Sequence, residues 1–148
     1  MTVQTQQNLL DVKDLTVSFG SKSVVHGMNF SIKAGERVAL VGESGSGKTV
    51  TALSLLRLVI NAELRGSATF GQNDAVDLLS IPEQQLRGIR GQDIAMIFQE
   101  PMTALNPLFT VGDQITEILE LKTPIAGVLL ASTAIKLIAS TGIADPER

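Results

Sequence analysis

The sequence predicts an α/β fold in which an antiparallel pair of strands precedes a third strand, a glycine-rich loop and a helix. Apolar residues alternate along Leu10–Phe19, and a shift of phase at residues 13–14 predicts a bulge in that strand. A second strand is predicted over Val24–Lys33, after a turn. The continuous apolar run Val38–Val41 is typical of a strand buried on both faces, and it leads through the loop into a helix over Lys48–Leu58.

The elements that follow are shorter. Gly66–Phe70 is predicted to be a strand. Ser80 is predicted to be the N-cap of a short helix that runs through Leu86, with Pro82 in its first turn. Ile94–Phe98 is a further apolar run. Strands and helices are therefore interleaved in this part of the chain.

Two helices are predicted in the last third of the chain. Gly112–Leu121 places apolar residues on one helical face, and Ala134–Ile138 belongs to a second helix. The stretch Thr123–Ile138 is poor in charge, but Pro124 and Lys136 interrupt it, and a membrane-spanning helix needs about 20 predominantly apolar residues. We therefore expect a packed helix there rather than a membrane span.

Composition limits the classes of protein to which the chain can belong. Its 148 residues are 44% hydrophobic, which is enough for one domain with a packed core. The net charge of -3 lacks the basic excess that nucleic-acid binding needs, so no nucleic acid is expected as a partner. The absence of cysteine excludes disulfides and thiolate metal sites, and His26 is the single histidine. The polar start, Met1–Asn8, is unlike a secretory signal, so an intracellular protein is expected.

One motif fits the phosphate-binding pattern G-x-x-x-x-G-K-[ST] in full. It consists of Gly42, Glu43, Ser44, Gly45, Ser46, Gly47, Lys48 and Thr49. Its glycines allow successive backbone N–H groups to face phosphate oxygens, and the helix that follows adds the positive end of its dipole. Lys48 is predicted to reach the β and γ phosphates, and the Thr49 hydroxyl is predicted to ligate Mg²⁺. The alternative is a glycine-rich turn that binds nothing.

Two segments of the chain resemble the ABC ATPase family. The first is Gly35–Thr49, in which a Gly-Glu turn leads into the phosphate-binding loop. The second is Met96–Pro107, which resembles the Q-loop of the family. Its form, Phe-Gln-Glu-Pro followed by Leu-Asn-Pro, is similar to the ATPase subunits of dipeptide, oligopeptide and nickel importers. The resemblance implies an α/β P-loop NTPase core with an antiparallel β subdomain and the start of a helical subdomain, incomplete at its C-terminus.

The resemblance also implies roles for individual residues. Phe19 occupies the position of an aromatic side chain that stacks on adenine, and a core residue at the end of a strand is the alternative. Gln99 corresponds to the glutamine that approaches Mg²⁺ and the attacking water. The expected cofactors are therefore ATP and Mg²⁺, with Lys48 and Gln99 as catalytic residues. The β subdomain and the first part of the core are assigned to residues 1–98, and the Q-loop and the helical subdomain to 99–148.

The partners expected from the resemblance are those of an importer. Glu100–Leu108 would dock onto integral membrane permease subunits, with a plain connector as the alternative reading. A second ATP-binding subunit would pair head-to-tail with this one, and an extracytoplasmic solute-binding protein would act indirectly. The expected location is the cytoplasmic face of the inner membrane, as a peripheral protein. Uptake of peptides or similar solutes would be the function of the assembly.

Several parts of an ABC ATPase are not found in these 148 residues. No apolar strand ends in Asp-Glu, no Ser-Gly-Gly signature occurs, and His26 precedes the loop, so it is not the switch histidine of the family. We therefore expect an N-terminal fragment that does not hydrolyse ATP alone and binds nucleotide weakly or not at all. The alternatives are an inert or interaction-only truncated product, another P-loop enzyme such as a small-molecule kinase, and a soluble ABC ATPase of repair or translation.

Overall fold

The computed structural model describes residues 8–99 and 104–147. By its internal contacts the chain divides into two compact units, residues 1–93 and residues 94–148. In the described part of the chain, the strands lie in the first unit together with two helices, and the second unit contains two further helices.

An antiparallel sheet is the framework of the first unit. Its strands are β1 (Asn8–Phe19), β2 (Lys22–Lys33), β3 (Glu63–Phe70) and β4 (Val76–Asp77). Their order is β2-β1-β3-β4, so β1 pairs with both β2 and β3. Gly20 adopts a φ of 56° in the tight turn between β1 and β2, a conformation that glycine takes without steric cost. The predicted antiparallel pair and the predicted strand after the helix are confirmed.

The shift of phase at residues 13–14 is a β-bulge, as predicted. The pairing of β1 with β2 changes register between Val12 and Leu15, and the pairing with β3 changes register at the same place. Asp14 has a φ of 50°. The side chain of Asn29 accepts a hydrogen bond from the Asp14 backbone N–H at 3.0 Å and donates one to the Asp14 carboxylate at 3.1 Å. The bulge is thus held by a side chain of the neighbouring strand.

The bulge keeps the apolar side chains of β1 on a single buried face. Inward positions are even-numbered before it and odd-numbered after it, which a strict period of two would not allow. The buried residues of this strand are Leu10, Val12, Leu15 and Val17. Among the described residues of the first unit, the other buried apolar residues are Val25, Leu56, Ala68, Leu78, Leu86 and Ile89. The core therefore combines sheet residues with residues from the segments after the loop.

The helix predicted after the loop is present as α1 (Lys48–Leu55) and is three residues shorter than predicted. It ends there because Leu56 leaves the helical conformation, with φ -101° and ψ 9°, and Arg57 has a φ of 49°. Thr51 and Ser54 are the buried residues of this helix. Their hydroxyls donate to the carbonyls four residues earlier, at 2.9 and 2.7 Å, which satisfies them inside the core.

The helix predicted to start at Ser80 begins later, and the N-cap assignment is wrong. α2 spans Glu83–Ile89, and Pro82 stands at its N-cap with extended backbone and no side-chain cap. Ser80 belongs instead to the turn that ends β4, where the Asp77 carbonyl accepts hydrogen bonds from Ser80 N and Ile81 N at 3.1 and 3.0 Å. That turn satisfies the Ser80 N–H before the helix begins.

The run Val38–Val41 is not a buried strand, which corrects the prediction. It has no regular secondary structure, and Val38 and Val41 are 50% and 88% exposed. A strand becomes buried on both faces only when strands lie on either side and further elements cover it. The four strands of the described residues pair only with one another, so this run has no such neighbours.

The second unit contains α3 (Val111–Lys122) and α4 (Val128–Ser140), which confirms both predicted late helices. α3 begins with a capping box: the Thr110 side chain accepts a hydrogen bond from Asp113 N, and the Asp113 side chain accepts one from Thr110 N. The two helices pack against each other, and Ala134 of α4 is buried. A small residue there allows the helix backbones to approach closely.

The stretch Thr123–Ile138 is not one helix. Thr123 ends α3 in extended conformation, and Gly127 stands before α4 with a φ of 63°. Pro124 lies in this break, where its ring cannot disturb a helix. In residues 8–99 and 104–147, no helix combines the length and the apolar character needed to cross a membrane.

Candidate functional site

The glycine-rich loop is tightly folded between the irregular run Val38–Val41 and α1. Gly45 has a φ of 80°, and Gly47, which precedes α1 as its N-cap, has a φ of 88°. A Cβ on Gly47 would lie 3.0 Å from the Val24 carbonyl oxygen at the start of β2. A Cβ on Gly42 would lie 2.7 Å from the Ser46 hydroxyl oxygen. Glycine is therefore required at residue 47, where the loop backbone approaches the backbone of β2. It is favoured at residue 42, where a Cβ would displace the Ser46 side chain.

Lys48 closes the loop with its own side chain. Its Nζ donates hydrogen bonds to the carbonyl oxygens of Gly42 at 2.7 Å and Glu43 at 2.6 Å, and it lies 3.4 Å from the Ser46 hydroxyl. Ser46 N also donates to the Glu43 carbonyl at 3.2 Å. The positive charge of the ammonium group is thus held at the loop rather than extended into solvent.

The N-terminus of α1 adds a second positive feature at the same place. The first hydrogen bond of the helix runs from Thr51 N to the Gly47 carbonyl at 2.8 Å, so the amides of residues 48–50 have no partner within the helix. The first turn contains no acidic residue, and the helix dipole gives this end a partial positive charge. Thr49, the second residue of α1, is exposed at this end of the helix.

These features fit a polyphosphate with its metal ion. Unpaired amides at a helix N-terminus bind anionic oxygens, a lysine supplies the balancing charge, and a threonine hydroxyl is an oxygen ligand of the kind that Mg²⁺ prefers. Residues 42–49, all predicted from the motif, come together in one short segment. Their roles in binding remain predictions, because the contacts above are those of the loop with itself.

The other two predicted site residues lie elsewhere in the chain. Phe19 is the last residue of β1, half-buried, in the same unit as the loop, and it pairs with Lys22 across the turn. Gln99 belongs to the second unit and is exposed. Of the predicted docking segment Glu100–Leu108, residues 100–103 lie outside the described residues. The roles of Phe19 and Gln99 remain predictions.

Sequence reasoning missed an ionic cluster at the opposite end of α1. The Glu83 carboxylate accepts hydrogen bonds from Arg57 at 3.0 Å and from Arg90, and Arg87 lies 3.7 Å away. Arg90 Nε also donates to the Leu56 carbonyl at 2.8 Å, so the cluster joins α2 to the end of α1. The Arg90 hydrogen bond, with the charges of Arg90, Arg57 and Arg87, holds the pKa of Glu83 below its usual value of 4.5.

The only local signal of this cluster is the spacing of four residues between Glu83 and Arg87 on α2. The other two arginines are brought in by the fold. Glu83 begins α2, Arg90 is the C-cap of that helix and Arg57 follows α1, so the cluster connects both ends of α2 to the segment that follows α1.

The loop, its lysine and the following helix N-terminus together define a P-loop nucleotide-binding protein. Residues 25–147 match the family model described as "ABC transporter". The chain therefore belongs to the ABC transporter family, and its nucleotide-binding domain is of the P-loop NTPase class.

Curated relatives support the same family. The chain is 48% identical over 149 residues to the peptidoglycan transport ATP-binding protein YejF of Agrobacterium fabrum, covering 96% of this chain and 27% of the relative. It is 45% identical to the probable peptide ABC transporter ATP-binding protein y4tR of Sinorhizobium fredii, covering 95% and 43%. It is 46% identical to the oligopeptide transport ATP-binding protein OppD of Escherichia coli, covering 80% and 36%. The chain thus spans less than half the length of these relatives.

Proposed function

We propose that the chain is the nucleotide-binding part of the ATP-binding subunit of an ABC importer for peptides or similar solutes. The observation that carries this proposal is the loop at residues 42–47, which holds the Lys48 ammonium group beside the free amides of α1. The names of the relatives supply the class of solute. In this proposal residues 1–98 carry the β subdomain and the loop, and residues 99–148 carry the Q-loop and the start of the helical subdomain.

Each predicted site residue has a defined task in this proposal. The amides of Gly45, Gly47, Lys48 and Thr49 and the Lys48 ammonium group bind the β and γ phosphates of ATP. The hydroxyl of Thr49 is a ligand to Mg²⁺, whose chemistry is to neutralise charge that develops on the phosphates. Phe19 would stack on the adenine ring, and Gln99 would be the glutamine that approaches Mg²⁺ and the attacking water.

Lys48 changes partners when phosphate is bound. In the loop as it stands, two carbonyl oxygens accept its hydrogen bonds at 2.7 and 2.6 Å. Phosphate oxygens carry full negative charge and are stronger acceptors than carbonyls, so the ammonium group favours them. The loop backbone is already folded, and binding therefore requires little rearrangement outside this side chain.

The proposed partners are permease subunits at the cytoplasmic face of the inner membrane, a second ATP-binding subunit and, indirectly, a solute-binding protein. The docking segment is Glu100–Leu108. Its described portion exposes apolar side chains, with Leu105 51% and Leu108 86% exposed. A contiguous exposed apolar patch is typical of a surface that a partner covers, and these side chains are the ones in this segment that could form such a patch. We assign ATP hydrolysis to the complete subunit and expect none from these 148 residues alone.

Titration with a fluorescent ATP analogue in the presence of Mg²⁺ tests the proposal. The chain contains no tryptophan or tyrosine, so its own fluorescence does not interfere. Lys48→Ala is expected to weaken binding roughly 10- to 100-fold, since hydrogen bonds to charged groups contribute about 1.5–3 kcal/mol. Lys33→Ala, at the exposed end of β2, is the matched control and should bind like the parent chain. Because these 148 residues are expected to bind nucleotide weakly at most, the titration extends to millimolar nucleotide. Equal binding by all three proteins would refute the role of the loop, and no binding by any of them at that concentration would favour the interaction-only alternative.

A further inference from the structure

A short segment before α3 has a defined turn that its own sequence sets up. Asn106, Pro107, Leu108 and Phe109 form the turn, in which Phe109 N donates to the Asn106 carbonyl at 3.3 Å. The Asn106 side chain accepts a hydrogen bond from Leu108 N at 3.0 Å. Asn at the first and Pro at the second position are favoured in such turns, because Asn bonds to the backbone ahead and Pro presets its φ.

A single side chain from α3 binds the backbone of this turn. The Gln114 carbonyl oxygen accepts a hydrogen bond from Asn106 N at 2.8 Å. The Gln114 amide nitrogen donates to the Asn106 carbonyl at 3.0 Å and lies 3.2 Å from the Phe109 carbonyl. The Asn106 N–H faces the side-chain oxygen of Gln114, and the Asn106 and Phe109 carbonyls face its side-chain nitrogen, so these partners set the orientation of the amide. The two ends of the side-chain amide thus bind both backbone groups of Asn106.

Gln114 is itself held in place. It lies in the first turns of α3, where its backbone N–H donates to the Thr110 carbonyl at 3.2 Å. The capping box of Thr110 and Asp113 fixes the start of the same helix. The turn is therefore attached to a rigid helix end rather than to another loop.

The apolar side chains of Leu108 and Phe109 in this turn are largely exposed. Leu108 is 86% exposed and Phe109 is 60% exposed, as expected of side chains that do not pack into a core. Polar contacts at the backbone hold the turn, and this leaves the apolar side chains free to contact a partner.

We propose that Gln114 is a positioning residue for permease docking: it fixes the turn 106–109 so that Leu108 and Phe109 are presented in one arrangement. The inference rests on the proposed function, in which this region faces the permease. A preformed turn loses less conformational entropy on binding than a flexible one. Gln114 contributes to docking without itself touching the partner.

Amide hydrogen exchange in the full chain tests the positioning directly. Gln114→Met keeps the length and helix propensity of the side chain and removes its hydrogen bonds. Exchange of the Asn106 amide is expected to accelerate about tenfold, because both hydrogen bonds between the Gln114 side chain and the Asn106 backbone are lost. The matched control Glu117→Ala, on the exposed side of α3, should leave the Asn106 rate unchanged. An unchanged Asn106 rate in Gln114→Met, or an equal acceleration throughout α3, would overturn the proposal.

Docking to proteoliposomes that carry the permease subunits of a peptide importer separates this inference from the function on which it rests. Leu108→Ser removes an apolar contact and leaves Gln114 intact. Both Leu108→Ser and Gln114→Met are expected to weaken docking about tenfold, whereas Glu117→Ala should dock like the parent chain. If Leu108→Ser docks like the parent chain, the proposed docking surface is wrong. If Leu108→Ser weakens docking and Gln114→Met does not, the positioning role of Gln114 is wrong.

Discussion

Gly47 is the position at which the loop is most sensitive to a single methyl group. Its φ of 88° is one that residues with a side chain rarely adopt, and it stands at the N-cap of α1. In Gly47→Ala the new Cβ would lie 3.0 Å from the Val24 carbonyl oxygen and 3.3 Å from a Val25 methyl group. The Val24 oxygen belongs to the backbone of β2, so it has little room to move.

The cost of this substitution follows from the two effects. A positive φ costs a residue with a side chain about 1–3 kcal/mol, and the tight contact adds to it. A domain of this size is stable by only about 5–15 kcal/mol. A destabilisation of 1 kcal/mol lowers Tm by roughly 4–8 °C in a domain of 60–100 residues, the size range of the first unit, residues 1–93. We therefore expect Tm to decrease by about 8–16 °C for a loss of about 2 kcal/mol.

Thermal unfolding followed by circular dichroism measures the effect. Gly88→Ala is the matched control, because Gly88 lies in α2 at a site where a Cβ meets nothing within 4 Å. Alanine there is expected to raise stability by about 0.5–1 kcal/mol, through a better helix propensity and a less flexible unfolded chain. Both substitutions replace glycine with alanine, but they should change Tm in opposite directions. A Tm of Gly47→Ala within about 2 °C of the parent value would refute the account of the loop backbone.

Three further predictions concern the core, the ionic cluster and turnover. Leu15→Ala should lower stability by about 2–5 kcal/mol in urea unfolding, since it empties a fully buried site beside the bulge, and a loss below about 1 kcal/mol would contradict that site's place in the core. The fold lowers the pKa of Glu83, so the stability that its carboxylate contributes is complete above the usual pKa near 4.5 and is lost as pH falls through the lower folded pKa. The Tm of Glu83→Gln should therefore depend less on pH between pH 6 and 3 than that of the parent chain, and an unchanged dependence would count against the cluster. The purified chain should release no more phosphate from ATP than Lys48→Ala does, and turnover that depends on Lys48 would contradict the assignment of hydrolysis to the complete subunit.

The features that were predictable from sequence are those that depend on nearby residues. The bulge at residues 13–14 appears as a break in alternation, because the inward face must be restored within the same strand. The loop at Gly42–Thr49 is similar: each glycine is needed for a local backbone conformation or a close approach, and the motif records those needs residue by residue.

The features that were not predictable depend on distant partners. The predicted burial of Val38–Val41 is wrong because burial requires neighbouring strands, which the apolar run itself does not specify. The capping role of Ser80 is wrong because this residue lies in the turn after β4, where both its backbone N–H and its hydroxyl donate to the Asp77 carbonyl. Gln114 looks like an ordinary polar residue on a helix, and its contacts with Asn106 exist only once the turn and the helix have formed.

The ionic cluster illustrates the same limit in the first unit. Glu83 and Arg87 are neighbours on one helix and can be paired from spacing alone, but Arg57 joins them from 26 residues earlier in the chain. No local pattern indicates that Arg90 would also bind the Leu56 carbonyl.

The central claim is that the loop and the N-terminus of α1 bind the phosphates of ATP. Its most direct test is a titration of the ¹⁵N-labelled chain with Mg²⁺ and ATP, followed by the amide resonances. The amides of Gly45, Gly47, Lys48 and Thr49 are expected to shift progressively, while those of β4 and α2 stay in place. Amides of the loop that do not move at millimolar ATP, or shifts confined to other parts of the chain, would contradict it.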